Sequence, residues 1–271
     1  MKALIRVLFA ALALGYGVLA FAQAFVVEIR GSATLQSGTG PAEPLVVGQK
    51  IPPGALLHTL RDSMVVLGFP DKQVCVIGEN STFRIVDYRY EAGQADKGEV
   101  HLNLIAGSLR ISVGEIGTVN PGAIRVQIGV GTMGVLPSAE RADASVVVLG
   151  GPVSVTVQEG RAVILLPSSG QQEVAAGQGL FFTADGTVRR GDASRMAEML
   201  GQSADGKELL KQFASLDGMT LVMRQTVISL ATVFGDDRTD MIPPPPALNS
   251  GTTAGTAGTG SGGGGNIASP N

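Results

Sequence analysis

The chain has little of what most enzyme sites and most disulfide-rich scaffolds are made from. It contains no Trp, one Cys and two His in 271 residues, and only 4% of it is aromatic. One cysteine cannot close an internal disulfide, which excludes a cystine-stapled framework. Cys75 lies in the apolar run Val74-Cys75-Val76-Ile77, a setting that predicts a buried, inert thiol. His58 and His101 each lack a second ligand at metal-like spacing, so no metal set is assigned and both are expected at the surface. Charged residues are also scarce, at 16%, with 20 basic against 23 acidic. That balance lacks the basic excess of a nucleic-acid or anionic-lipid binder.

What the chain does have is glycine, 38 residues of it, and 44% hydrophobic residues. From Phe25 to about Arg189 the hydrophobic period is two. Leu109, Ile111 and Val113 alternate with Ser108, Arg110 and Ser112, and Ile124, Val126 and Ile128 alternate with Arg125, Gln127 and Gly129. Val153, Val155 and Val157 repeat the pattern. Each run is a strand with one face to a core and one to water. Met64–Phe69 and Ala162–Leu166 are apolar throughout, which predicts strands buried on both faces. A dozen to sixteen such runs, many opened by glycine, need a sandwich, a barrel or a β-solenoid.

The two ends read differently. Lys2 and Arg6 precede an uncharged apolar stretch, Val7 to Phe21, and Ala20-Phe21-Ala22 or Ala22-Gln23-Ala24 offers an A-x-A cleavage site. Residues 1–22 are therefore expected to be a signal peptide, cleaved after 22 or after 24, and a retained anchor is the second choice. Losing Lys2 and Arg6 makes the mature balance more acidic by two. A β domain is expected over 25–190 and a helical segment packed on it over 191–235. In that segment Asp192 caps a helix from Ala193, a second helix starts near Asp205, and Gly218 breaks the stripe before Met219. The expected purpose of the segment is to cap a raw end of the β stack. The tail, 242–271, is rich in Pro, Gly, Ser and Thr and is expected to be disordered.

The stretch Leu45-x-x-Gly48-x-x-Ile51-x-x-Gly54-x-Leu56-x-x-Thr59, then Ser63-x-Val65-x-Leu67-x-Phe69-x-Asp71 and Gly78-x-Asn80-Ser81-x-Phe83-x-Ile85, resembles the FecR domain. Further matches in order are Gly107-Ser-Leu-Arg-Ile, Asn120-Pro121 with Ile124-x-Val126, Gly131-Thr132-x-Gly134-Val135, Val147 to Val155, and Val174 to Gln178. The resemblance covers about Ile29 to Phe182. It implies a mainly β fold, with short glycine-punctuated strands in a β-solenoid-like or sandwich-like stack, found outside the cytoplasmic membrane. Sigma-regulator members carry a cytoplasmic helical domain and a membrane span before this module. Here a signal peptide stands in that place, which makes a transmembrane signalling role an unfavoured expectation, and Val130 replaces the usual Arg before the Gly-Thr pair.

No catalytic, cofactor-binding or metal-binding residue is assigned. Gly129-Val-Gly131-Thr-Met-Gly134 matches G-x-G-x-x-G, but Val135-Leu136-Pro137 follows where a nucleotide site needs a helix, and the acid expected some 20 residues on is absent. Asp71 and Asp87 are placed at turns, where carboxylates accept from backbone amides. The favoured function is an exported, non-catalytic binding or interaction module of the bacterial envelope, with no cofactor, whose partner is an envelope protein or a cell-wall component. The alternatives are a periplasmic or secreted enzyme of unrecognised type acting on a cell-wall or other polymer, and a remnant of a cell-surface signalling regulator. Intact-mass measurement of the protein from the envelope fraction should show loss of residues 1–22 or 1–24. A mass that retains Met1 refutes export with cleavage.

Overall fold

A computed structural model describes residues 22–139 and 141–234; the expected signal segment up to Phe21 and the expected disordered tail, 242–271, lie outside them. Alternation of apolar and polar residues gives seventeen strands among the described residues, in two sheets that share one strand. In the first sheet the order is β4 (Lys50–Ile51), β1 (Ala24–Arg30), β6 (Met64–Gly68), β7 (Val74–Ile77), the second half of β9 (Glu99–Ser112), β12 (Asp143–Val148), β13 (Val153–Glu159), β16 (Gln178–Phe182) and β17 (Val188–Asp192). In the second it is β3 (Ala42–Pro44), β2 (Ala33–Gln36), β5 (Leu56–Thr59), β8 (Thr82–Arg89), the first half of β9, β10 (Ile124–Ile128), β11 (Gly131–Leu136), β14 (Arg161–Leu166) and β15 (Gly170–Ala175). Beyond the short edge strands, strand number rises steadily along both sheets, because the chain crosses from one to the other and advances as it goes. The result is a sandwich wound like a coil and not closed into a barrel.

β9 makes the crossing within one strand. Val100, Leu102 and Leu104 pair into the second sheet, and Leu109 and Ile111 into the first. Between them Gly107 has φ +90°, and a methyl group on it would come 2.4 Å from the Ser81 Cα. Only glycine relieves both constraints. The corner is then closed by Ser81, whose Oγ accepts from the Ser108 amide at 2.9 Å and donates to the Gly78 carbonyl at 2.9 Å.

After β9 the chain must return to begin β10 beside the strand's first half. That pairing, Ile124 to Val100 through Ile128 to Leu104, is parallel, and every other strand pairing among the described residues is antiparallel. A parallel pairing needs a crossover, here built from the short helix α1 (Glu115–Val119) and a 3₁₀ turn at Pro121–Ala123. The inner faces of both sheets form one core, including Leu57, Leu67, Phe83, Leu102, Ile111, Val126, Val146 and Phe182.

Three helices follow the last strand. α2 (Ala193–Leu200) is capped by Asp192, which accepts from the Arg195 amide at 2.8 Å. α3 (Ala204–Asp217) is capped by Ser203, and α4 (Thr220–Phe234) begins after the Gly218 break. They do not close an end of the strand order, as the sequence led us to expect. They run back across the outer face of the first sheet, α2 against β16 and β17, α3 against β12 and β9, α4 against β7. Val147 meets Met196, Leu200, Leu209 and Phe213, while Met64, Val66, Val74 and Val76 meet Leu216, Met223 and Leu230. Hence Met64–Phe69 is buried on both faces. Ala162–Leu166 is not: it lies in the second sheet, which no described helix covers, and Leu165 is 60% exposed.

Arg110 of β9 ties the helices to the sheet. It is buried, grips Asp143 through Nε at 2.8 Å and Nη2 at 2.6 Å, and donates to the Leu216 carbonyl and Thr220 Oγ1. Burial opposes its charge most strongly, but the Asp143 carboxylate, joined by the charges of Asp217 and Glu159, holds the guanidinium above its usual value. Leu209→Ala and Phe213→Ala should each cost about 2–5 kcal/mol in urea unfolding, as large-to-small changes in a core do. Costs under about 0.5 kcal/mol, the level of surface changes, would mean that the helices do not pack as described.

Candidate functional site

Residues that face outward from the second, open sheet line up from strand to strand. Gln36 opposes Leu56, Leu56 opposes Arg84, and Arg84 opposes Asn103. Asn103 then opposes Gln127, Gln127 opposes Thr132, Thr132 opposes Leu165, and Leu165 opposes Gln171. One unbroken row thus crosses eight strands. Strands sit about 4.8 Å apart, so the row is roughly 34 Å long. Thr132 Oγ1 donates to Gln127 Oε1 at 3.2 Å, which sets the amide's orientation. Ile105 and Leu165 add exposed apolar surface on the same face, and Val86, the extra residue of a β-bulge in β8, is exposed beside them.

Both histidines belong to this open sheet. His58 Nδ1 is 3.1 Å from Thr82 Oγ1. His101 lies between Glu99 and Arg125, at 2.9 and 3.2 Å, with Glu99 also paired to Arg89. Among the described residues no three or more His, Cys, Asp and Glu side chains gather as a metal site. Gly129, Gly131 and Gly134 belong to the β10–β11 hairpin and open no helix. No described helix is long and apolar enough to cross a membrane.

A second cluster closes one end of the sandwich, where α1 covers the β6–β7 turn. Asp71 was expected at a turn with its carboxylate on backbone amides. It is at the turn, and Oδ1 does accept from the Gln73 amide at 3.3 Å, but the side chain is wholly buried. Tyr88 donates to Oδ1 at 3.0 Å and accepts from the Asp71 amide at 3.2 Å. The Tyr88 ring packs edge-on to Phe69 at 5.1 Å. Gly114 approaches so closely that a methyl group there would meet the Asp71 carbonyl oxygen at 2.1 Å. Asp71 Oδ2 and Gln73 Oε1 are buried acceptors without a partner. Lys72 pairs with Glu115 at 2.5 Å, and Tyr90 donates to the other oxygen of Glu115.

Burial pushes the Asp71 carboxyl up to about 6, against the hydrogen bonds from the Tyr88 hydroxyl and the Gln73 amide, with the Glu115 charge adding to the rise. Cys75 next to it is fully buried, and burial first, then the Asp71 charge, raises its thiol. The pattern that marks Asp71 as special is absent from its own neighbourhood in the sequence: Tyr88 lies 17 residues on and Gly114 lies 43 residues on. Asp87, the other turn candidate, ion-pairs with Arg89 at 3.0 Å.

Two solved structures of a protein from Parabacteroides distasonis ATCC 8503, provisionally described as an anti-sigma factor, are similar to this chain, with TM-scores of 0.41 and 0.40 and identities of 12% and 11%. Each match covers 55% of this chain and 65% or 64% of the other, so it spans less than two thirds of those proteins. No family model and no curated protein matches the chain.

A carboxyl whose folded pKa is raised contributes stability below its unfolded value, near 4, and loses it as pH rises through the folded value, about 6. The loss for Asp71 is of order 3 kcal/mol. Asp71→Asn keeps an acceptor for Tyr88 and carries no charge. In urea unfolding it should gain on the wild type between pH 4 and pH 7.5. A constant difference across that range would show that Asp71 does not titrate as described.

Proposed function

We propose that this chain is an exported, non-catalytic binding module of the FecR type, which engages an envelope component through the outer face of its open sheet. The observation that carries the reading is the asymmetry of the sandwich. One outer face is sealed by three helices and Arg110, whereas the other presents an ordered row of amide, hydroxyl, guanidinium and apolar groups that no described element covers. A broad face of mixed polar and apolar side chains suits contact with a large partner better than it suits chemistry on a small one. Among the described residues the one carboxyl with a strongly raised pKa, Asp71, is wholly buried and so cannot touch a polymer, which argues against the enzyme alternative.

Export follows from the basic, apolar and small-residue order at the N-terminus. Cleavage after Ala22 is the better of the two sites, because Ala24 opens β1, is 1% exposed and pairs with Ile51. The FecR reading rests on the ordered motifs. They fall on structural corners of this fold: Gly107 at the bend of β9, Gly131-Thr132 at the start of β11, and Val147 to Val155 along β12 and β13.

Retention of the mature protein on isolated bacterial envelopes tests the proposal. Asn103→Glu with Gln127→Glu should abolish retention while leaving the melting temperature unchanged. Glu198→Arg on the helical side should retain like the wild type. Retention that ignores the open face would overturn the reading.

A further inference from the structure

Resting on the binding-module reading, we infer that the row across the open sheet is a site for a neutral β-linked polysaccharide lying perpendicular to the strands. The argument begins with repeat distance. A polymer that crosses the strands meets one side chain about every 4.8 Å. A β-linked pyranose chain advances by about one strand spacing per ring, so each strand addresses one sugar. An extended peptide fits poorly, because its side chains recur on one face about every 7 Å and its backbone pairs at a sheet edge, not on a face.

The chemistry of the row agrees. Asn103 offers a donor and an acceptor in one plane. Gln127, which accepts from Thr132 and donates to the Gly129 carbonyl at 3.2 Å, keeps one amide hydrogen and one lone pair, and Thr132 Oγ1 keeps its acceptor lone pairs. Together they suit a hydroxyl-bearing ring. Charge gives an acidic polymer little advantage. Arg125 faces Glu99 at 3.8 Å and Arg161 faces Glu173 at 3.3 Å, so these cations are already balanced by carboxylates of the same face. Arg84 alone stands in the row without such a balance, and its Nε is buried without a hydrogen-bond partner, beyond a ligand's reach. Ile105 and Leu165, 45% and 60% exposed, offer apolar surface to the C–H face of a ring. With no Trp in the chain, that aliphatic surface stands in for aromatic stacking, and affinity must come from many weak contacts along the row.

That last point gives a specific expectation. A row of equivalent contacts binds longer oligomers more tightly, ring by ring, until the row is filled. Titration calorimetry of the mature chain with β-1,4-linked glucan oligomers of about two to six rings should show affinity rising with length. Asn103→Ala with Gln127→Ala should weaken the longest oligomer about tenfold, the size of effect expected for two lost hydrogen bonds. An unchanged melting temperature shows that the double variant is folded. A polyuronate of equal length should bind no more tightly than the neutral oligomer. No binding of the neutral oligomer, tighter binding of the polyuronate, or indifference to the double variant overturns the inference. If envelope retention still depends on the open face while the glucans fail, the glycan assignment falls and the binding-module reading stands. If retention ignores the face, the module reading falls first.

Discussion

One strand belongs to both sheets, and the rest of the fold is arranged around that fact. β9 pairs with β8 and β10 in its first half and with β7 and β12 in its second. The turn between the halves depends on Gly107, held against Ser81 with no room for a side chain. Because β9 finishes in the opposite sheet, the next strand can rejoin the first half only by a crossover and only in parallel. The crossover helix, the close approach of Gly114 and the burial of Asp71 all follow from that return path.

The buried acid therefore has a topological cause. Its pKa of about 6 comes from a carboxyl shut under a returning segment, with hydrogen bonds that only partly offset its desolvation. Natural sandwiches keep few such groups, since an unpartnered buried acceptor costs stability. Here the cost falls on an end of the sandwich, away from the open face, and it makes the fold more stable in mild acid than at neutral pH so far as this group decides.

The two outer faces have opposite fates for a physical reason visible in their side chains. Met64, Val66, Val74, Val76 and Val147 make the first sheet apolar on its outer side. Leaving them in water would cost about 25 cal/mol per Å², so the helices lie over them. The second sheet turns out Arg84, Asn103, Gln127 and Thr132 on its outer side, polar groups that water can solvate, and no described helix lies over them. Its few exposed apolar residues, Leu165 among them, are then available for contact with something else.

Much of this was legible beforehand. Period-two alternation placed most of the strands, Asp192 and Gly218 marked helix boundaries, and the apolar surroundings of Cys75 announced its burial. These are local properties, fixed by φ/ψ preference and side-chain periodicity within a few residues. The sequence could not say which apolar strand is covered on both faces: Met64–Phe69 and Ala162–Leu166 read alike, and only the packing of distant helices separates them. Nor could it show that Asp71 is sealed by residues 17 and 43 positions away, or that Arg84, Asn103, Gln127 and Thr132 form one row. Those are properties of register, and register between strands far apart in the chain is decided when the sheets assemble.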